Sequence, residues 1–185
     1  MKQILRYILK IILLIIFIIC GIILITTTYF AEEIEESVIS LMQYNIKSNL
    51  DLGEVEFTIY KNFPSASVKI TNLLISESKE FNGDTLIFAK LAYVELSLFN
   101  IISRTNNIQN IIINNAKINI KYNEKNIPNF LVFKNNPENK NKLSITKISL
   151  LNTKLKIKKE VTKMDLSWHL NKSIISIDNK NYTFN

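Results

Sequence analysis

One cysteine, one histidine, three glycines and three prolines in 185 residues put several kinds of protein out of reach. Cys20 has no intrachain partner and sits inside an apolar run, so no disulfide framework organises the fold, and cysteine usage says nothing of the redox compartment. A lipoprotein signal would place a small residue before a cysteine that ends the apolar stretch. Here Ile19 precedes Cys20 and the stretch runs on to Ile25. His169 stands without the cluster of Cys, Asp or Glu that would make it a metal ligand or general base. There is no G-x-S-x-G, no H-E-x-x-H and no glycine-rich phosphate loop. The carboxylates fall mainly at an acidic helix start or on wet strand positions. The sequence therefore predicts no enzyme, no metal site and no cofactor. So little Gly and Pro also argues against a linker-rich or repeat-punctuated chain.

What is present points to a membrane-attached globular chain. Hydrophobic residues make up 47% and charged residues 21%, a balance that excludes disorder. Ile, Asn and Lys are used so heavily throughout that no single Lys or Asn carries weight alone. The net charge of +7 conceals two halves of opposite sign: residues 31–100 carry five Lys against eleven acids, residues 101–185 fifteen bases against five acids. A basic half can seek anionic partners, although lysines also simply solvate the outer face of strands.

Ile4 to Phe30 holds more than the roughly 20 apolar residues that a bilayer-crossing helix needs. Lys2, Arg6 and Lys10 precede the run, whereas Glu32, Glu33, Glu35 and Glu36 follow it, which places the N-terminus in the cytoplasm and the bulk of the chain outside it. A cleaved signal peptide fits less well, because the apolar region is too long and Thr26-Thr27-Thr28 is a poor cleavage site. The expected organisation is an anchor over residues 1–30, an amphipathic helix over 31–50 and one β domain over 51–185. Exposure outside the cytoplasm also removes nucleic acid as a partner.

In the helix, Ile34, Val38, Leu41, Met42 and Ile46 form a stripe at spacings of three and four, placed to pack on the first strands. Beyond Gly53 the period becomes two. Expected strands are Glu54–Tyr60, Ser67–Ser76, Leu86–Phe99, Ile108–Asn114, Ala116–Tyr122, Leu143–Leu151, Lys154–Lys159, Met164–Leu170 and Ser173–Asp178, with turns at such places as Asn82-Gly83-Asp84, Asn114-Asn115 and Asn171-Lys172. This reads as an antiparallel meander with one wet and one dry face, the Lys-rich Lys154–Lys159 strand guarding an edge. Leu86–Phe99 is apolar in both alternation frames, so its buried face stays open. A sandwich, a barrel or a trough around an apolar ligand are all compatible with the pattern.

The order of Gly53-Glu54-Val55, Phe63-Pro64, Asn72-Leu73, Gly83-Asp84-Thr85-Leu86, Leu96-Ser97-Leu98-Phe99, Ile108-Gln109-Asn110-Ile111 and Lys117-Ile118-Asn119-Ile120 resembles the N-terminal region of AsmA-like proteins of Bacteroidetes-type bacteria, over roughly residues 1–160. Asn129-Phe130 keeps the Asn-aromatic pair of that pattern without its Gly. Members of the family are usually several times longer, which makes this chain a fragment, a decayed gene or a short form. The resemblance implies a mainly β fold with N-terminal helices: a single transmembrane helix, an amphipathic helix and an antiparallel curled sheet, an open, jelly-roll-like trough related to bridge-like lipid transfer proteins. It implies an inner-membrane, single-pass periplasmic protein that binds or transfers phospholipid and maintains the outer membrane and envelope. The expected partners are membrane lipids and envelope transport or assembly proteins. The dry-face residues Val55, Phe57, Ile59, Val94, Leu96, Leu98, Ile118, Ile120, Ile145, Leu155 and Ile157 become candidate lipid contacts. Two rivals remain open at this point, a bitopic bridge subunit of a lipopolysaccharide exporter and a ligand-free scaffold for outer-membrane protein assembly.

Overall fold

A computed structural model describes residues 2–29, 31–58, 65–97, 107–134, 144–178 and 181–184. Helix α1 spans Lys2–Tyr29, and within it Gln3–Ile22 is long and apolar enough to cross a membrane, with none of that window buried against the rest of the chain. Helix α2 spans Ala31–Asn45. Its stripe buries Ile34 and Val38, with Ile46 just beyond the helix, and packs on the first strands. The helix stops short of the expected Leu50. Asn45 Nδ2 donates to the Leu41 carbonyl, and Lys47 N–H leaves the helical ladder for the Val132 carbonyl, so the chain is taken into sheet pairing instead.

The strands are β1 Leu50–Asp51, β2 Val55–Thr58, β3 Ser65–Ser76, β4 Thr85–Ser97, β5 Asn107–Tyr122, β6 Ser144–Ile145, β7 Lys147–Lys159, β8 Met164–Asp178 and β9 Asn181–Phe184. They form one open sheet in the order β1-β3-β4-β5-β7-β8-β9; β2 extends the β1 edge along β3, and β6 pairs with β5. The expected antiparallel meander fails beside β5, where β6 and β7 both pair with it in parallel. β5 and β7 run parallel, from Ile111↔Ile148 to Tyr122↔Lys159, which makes the sheet mixed. Parallel neighbours need a crossover of a dozen or more residues. The long stretch between Tyr122 and Ser144 supplies it. β7 is consequently an interior strand with β8 on its other side, not the guarded edge that its lysines suggested. One true edge is capped: Phe57 N–H, on β2, donates to Glu35 Oε1 of α2 at 2.7 Å, which denies that edge to a further strand.

Two expected turns, Asn114-Asn115 and Asn171-Lys172, and the break expected between Leu151 and Lys154 lie inside continuous strands, and a further kink falls at Asn72, within a strand that was expected to be regular. Asn72, Asn115 and Asn152 have φ of 48°, 52° and 45°, the left-handed region that Asn tolerates better than most residues. Pairing skips one residue on both partners at this level in every long strand. Thr71↔Leu91 is followed by Leu73↔Ala89, Leu91↔Asn114 by Ala89↔Ala116, Asn114↔Leu151 by Ala116↔Thr153, and Leu151↔Lys172 by Thr153↔Leu170. A line through Asn72, Lys90, Asn115, Asn152 and Asn171 thus crosses the sheet, and Asn152 Nδ2 donates to Asn115 Oδ1 along it. At Asn114-Asn115 and Asn171-Lys172 the sequence reads as a turn, but the chain continues through as strand.

The line also resolves the two apolar frames of β4. Inward residues are two apart on either side of it and three apart across it: Val68, Ile70, then Leu73, Ile75 on β3, and Val94, Ala92, then Ala89, Ile87 on β4. One inserted position exchanges the faces of a strand. Since all strands insert at the same level, the dry face remains continuous. Both Asn152→Val and Asn152→Gly lose the exposed hydrogen bond to Asn115, so the difference between them isolates the backbone term: in urea unfolding Asn152→Val is expected to be less stable than Asn152→Gly by about 1–2 kcal/mol.

At the first edge the line is met by Gly53. Its N–H donates to the Thr71 carbonyl at 3.0 Å, Thr71 N–H donates back to the Glu54 carbonyl at 2.9 Å, and Glu54 N–H donates to Thr71 Oγ1 at 2.8 Å. A Cβ on Gly53 would stand 2.7 Å from the Thr71 carbonyl oxygen, a backbone atom that cannot swing away. Gly53→Ala is therefore expected to destabilise by about 1–3 kcal/mol, measured as a lower urea midpoint at unchanged slope.

Candidate apolar ligand-binding face

The inner face is covered over only part of its width. α2 lies on β2 and β3, and residues 123–134 leave the end of β5 as a strap that reaches Ser78 and then the end of α2. Val132 of the strap is fully buried, and the Lys47 and Lys134 N–H groups tie it to α2 through the Val132 and Asn45 carbonyls. Beneath these elements Ile70, Val68 and Ala66 lose all exposure. Each buried Val or Ile contributes about 1.5–3 kcal/mol.

The strap is attached through Asn129, itself fully buried. β4 begins at Thr85, so the end of β5 has no strand on its β4 side, and Asn129 takes the vacant position. Its N–H donates to the Lys121 carbonyl (2.9 Å), its Oδ1 accepts from Lys121 N–H (2.9 Å), and its Nδ2 donates to the Asn119 carbonyl (2.8 Å) and to Glu77 Oε1 (2.9 Å). Ser78 N–H donates to the Asn129 carbonyl, which joins the strap to the end of β3. Glu77, 1% exposed in its side chain, is neutralised by Lys121 Nζ at 2.9 Å, and Lys121 also reaches Asp84 Oδ2 at 2.9 Å.

Partial burial works against the Lys121 ammonium, but the hydrogen bonds and charges of Glu77 and Asp84 outweigh it and hold its pKa above the ordinary lysine value. A raised folded-state pKa stabilises fully below the unfolded value near 10.5 and loses that contribution as pH rises through the higher folded one. As pH rises above the ordinary lysine value near 10.5, the unfolding midpoint of the wild type should therefore fall more steeply than that of Lys121→Met.

Past the strap no described segment covers the face. Cross-strand partners share a face, so Ile118↔Leu155↔Trp168 and Ile120↔Ile157↔Leu166 form two apolar rows across β5, β7 and β8. Ile118, Ile120, Leu155 and Ile157 are half-buried, while Leu166 and Trp168 remain 41% and 43% exposed. Tyr122↔Lys159↔Met164 closes one end of these rows. Phe130 of the strap stands edge-on to Tyr122 at 6.0 Å between ring centres, and Lys159 Nζ lies 5.8 Å from the Tyr122 ring. The far side is the edge of β8, which pairs with β9 only from Ile175 onward.

The residues expected on this face divide into two groups. Val55, Phe57, Val94 and Leu96 belong to or pack on the core that α2 covers, and Ile145 packs against the same core. Ile118, Ile120, Leu155 and Ile157 lie where the cover ends; Ile59 and Leu98 are outside the described residues. The alternation pattern did not single out Leu166 and Trp168 as wall residues, although both fall in phase with Leu155 and Ile157. Asn129 was visible only as half of an Asn-aromatic pair. Among the described residues no group of three or more His, Cys, Asp and Glu is placed to hold a metal ion, and His169 is exposed beside Lys154. Comparison of the chain with protein-family models, curated proteins and solved structures returned no match.

Proposed function

We propose that this chain is a membrane-anchored lipid-handling protein that holds acyl chain against the uncovered half of its inner face. One observation carries the reading: among the described residues a continuous apolar face lies under α2 at β2 and β3, stays buried as far as Ala116 on β5 and Leu150 and Thr153 on β7, and is open beyond them at Leu155, Ile157, Leu166 and Trp168. Each CH₂ withdrawn from water there gains about 0.8 kcal/mol, enough to hold a lipid tail without any chemistry. Lys159, beside Tyr122 at the end of the rows, offers a cation to a phosphate headgroup. α1 supplies the anchor, and the Lys and Arg before it with the Glu residues after it favour a periplasmic β domain in an inner-membrane protein. The resemblance to the N-terminal region of AsmA-like proteins supports the same role in phospholipid transfer and envelope maintenance, with the open sheet serving as the trough. The test is native mass spectrometry of the full chain released from membranes in mild detergent. A phospholipid or lipopolysaccharide retained at fixed stoichiometry after α1 has exchanged its lipids for detergent supports the reading, and a lipid-free β domain refutes it.

A further inference from the structure

On the opposite, outer face of the same strands, basic residues are stacked against each other. Ala116 and Thr153 face the core, so Lys117 and Lys154, which follow them, face outward and are directly paired across β5 and β7. His169 is the partner of Lys154 on β8. Lys156 and Lys158 continue the outward row at alternate positions of β7. Adjacent strands lie about 4.8 Å apart and alternate residues about 7 Å apart, so these cations occupy one compact patch. Among the described residues the acid ion-paired with these lysines is Asp165, 3.5 Å from both Lys156 and Lys158. Asp84 and Glu77 are engaged by Lys121. Among the described residues, Lys117 and Lys154 have no ion-pair partner, and both are exposed.

The other end of the sheet handles charge in the opposite way. Lys69 on β3 is directly paired with Glu56 on β2 and bonds it at 2.8 Å. That hydrogen bond and the attraction between the two groups raise the pKa of Lys69 and lower that of Glu56. Like charges directly opposite one another oppose folding, and alternating signs would solvate a strand face as well without that penalty. We infer that the outer face of β5, β7 and β8 around Lys117, Lys154, Lys156 and Lys158 is a docking surface for anionic phospholipid headgroups of the membrane that α1 spans. The occupant follows from the chain's own geometry. A polybasic patch tethered by a membrane helix stands next to a sheet of phosphates at high local concentration, and such patches gain from each lysine brought to the surface. The inference rests on α1 as an anchor but not on the apolar ligand, because the two faces of one sheet point in opposite directions.

The full chain is placed in nanodiscs of purely zwitterionic lipid or of lipid with about one-third phosphatidylglycerol, and lysines are labelled with an amine-reactive reagent read out by peptide mass. In the anionic discs, labelling of Lys117, Lys154, Lys156 and Lys158 is expected to slow about fivefold relative to the exposed Lys47 and Lys79, and to recover at about 1 M salt, where the screening length is about 3 Å. In the Lys154→Gln/Lys156→Gln double variant, protection of Lys117 should weaken. Equal labelling in both kinds of disc overturns the inference. So does protection that appears only when a single-stranded oligonucleotide is added to zwitterionic discs, which would assign the patch to nucleic acid.

Discussion

Asn129→Ala should cost about 3–5 kcal/mol and lower the melting temperature by roughly 10 °C, the largest loss from any single polar residue described above. The side chain meets three partners in a site with no access to water: Lys121 N–H, the Asn119 carbonyl and Glu77 Oε1. Alanine leaves the Lys121 N–H and the Asn119 carbonyl unpaired and takes from Glu77 Oε1 one of its two partners, the other being Lys121 Nζ; each orphaned buried group costs about 1–3 kcal/mol, summing incompletely because the groups share one network. The change also frees the strap, so hydrogen exchange should rise at Ser78, Lys121 and Lys47, whose N–H groups bond to Asn129 and Val132, while the β7–β8 pairing stays protected. Asn129→Asp should be worse at neutral pH, since it sets a second carboxylate beside Glu77. It should recover partly in acid, where the new carboxyl is protonated and can donate again. A like charge raises the folded-state pKa of such an acid, so stability rises as pH falls through it. A melting temperature unchanged in both variants, read by circular dichroism, would mean that Asn129 does not hold the strap.

Replacing Leu155 and Leu166 together by Asp should remove bound lipid, at least tenfold by mass, while changing the unfolding midpoint by less than about 1 kcal/mol. The asymmetry follows from exposure. Leu166 is 41% exposed and Leu155 half-buried, so the folded protein gains little from either side chain and already keeps water beside them. A bound acyl chain would instead be forced to bury two carboxylates, an expense far above what its CH₂ groups return. The matched control is Val94→Asp, in the buried core, which should fail to fold because its site is closed. If the double variant retains lipid at wild-type stoichiometry, the acyl chain is held elsewhere.

The sequence made the kinds of element legible and left their connection obscure. Alternation of Lys154, Lys156 and Lys158 with Leu155 and Ile157 places every one of those side chains on its observed face, because period two is a local property. The pairing of β5 with β7 is not local. A lysine-rich strand reads as an edge, and only the length of the segment after Tyr122 could have signalled that the chain crosses over and returns parallel. The Asn kinks misled for a related reason. Asn favours the left-handed conformation in a turn and in a kink alike, and the choice depends on whether every neighbouring strand kinks at the same level. The limit of the inner cover was likewise hidden: Val94 and Leu155 are similar residues in similar strands, and the difference between core and open face lies in where α2 and the strap stop.

The account depends on acyl chain lying against β7 and β8, and labelling with a phospholipid that carries a photoactivated diazirine at the tail end tests this directly. With the full chain in native membranes, adducts are predicted on Leu155, Ile157, Leu166 and Trp168 as well as on α1, with Lys154 and Lys156 unlabelled because the outer face meets headgroups and not tails. Adducts confined to α1 would contradict the account and leave the uncovered face without its proposed ligand.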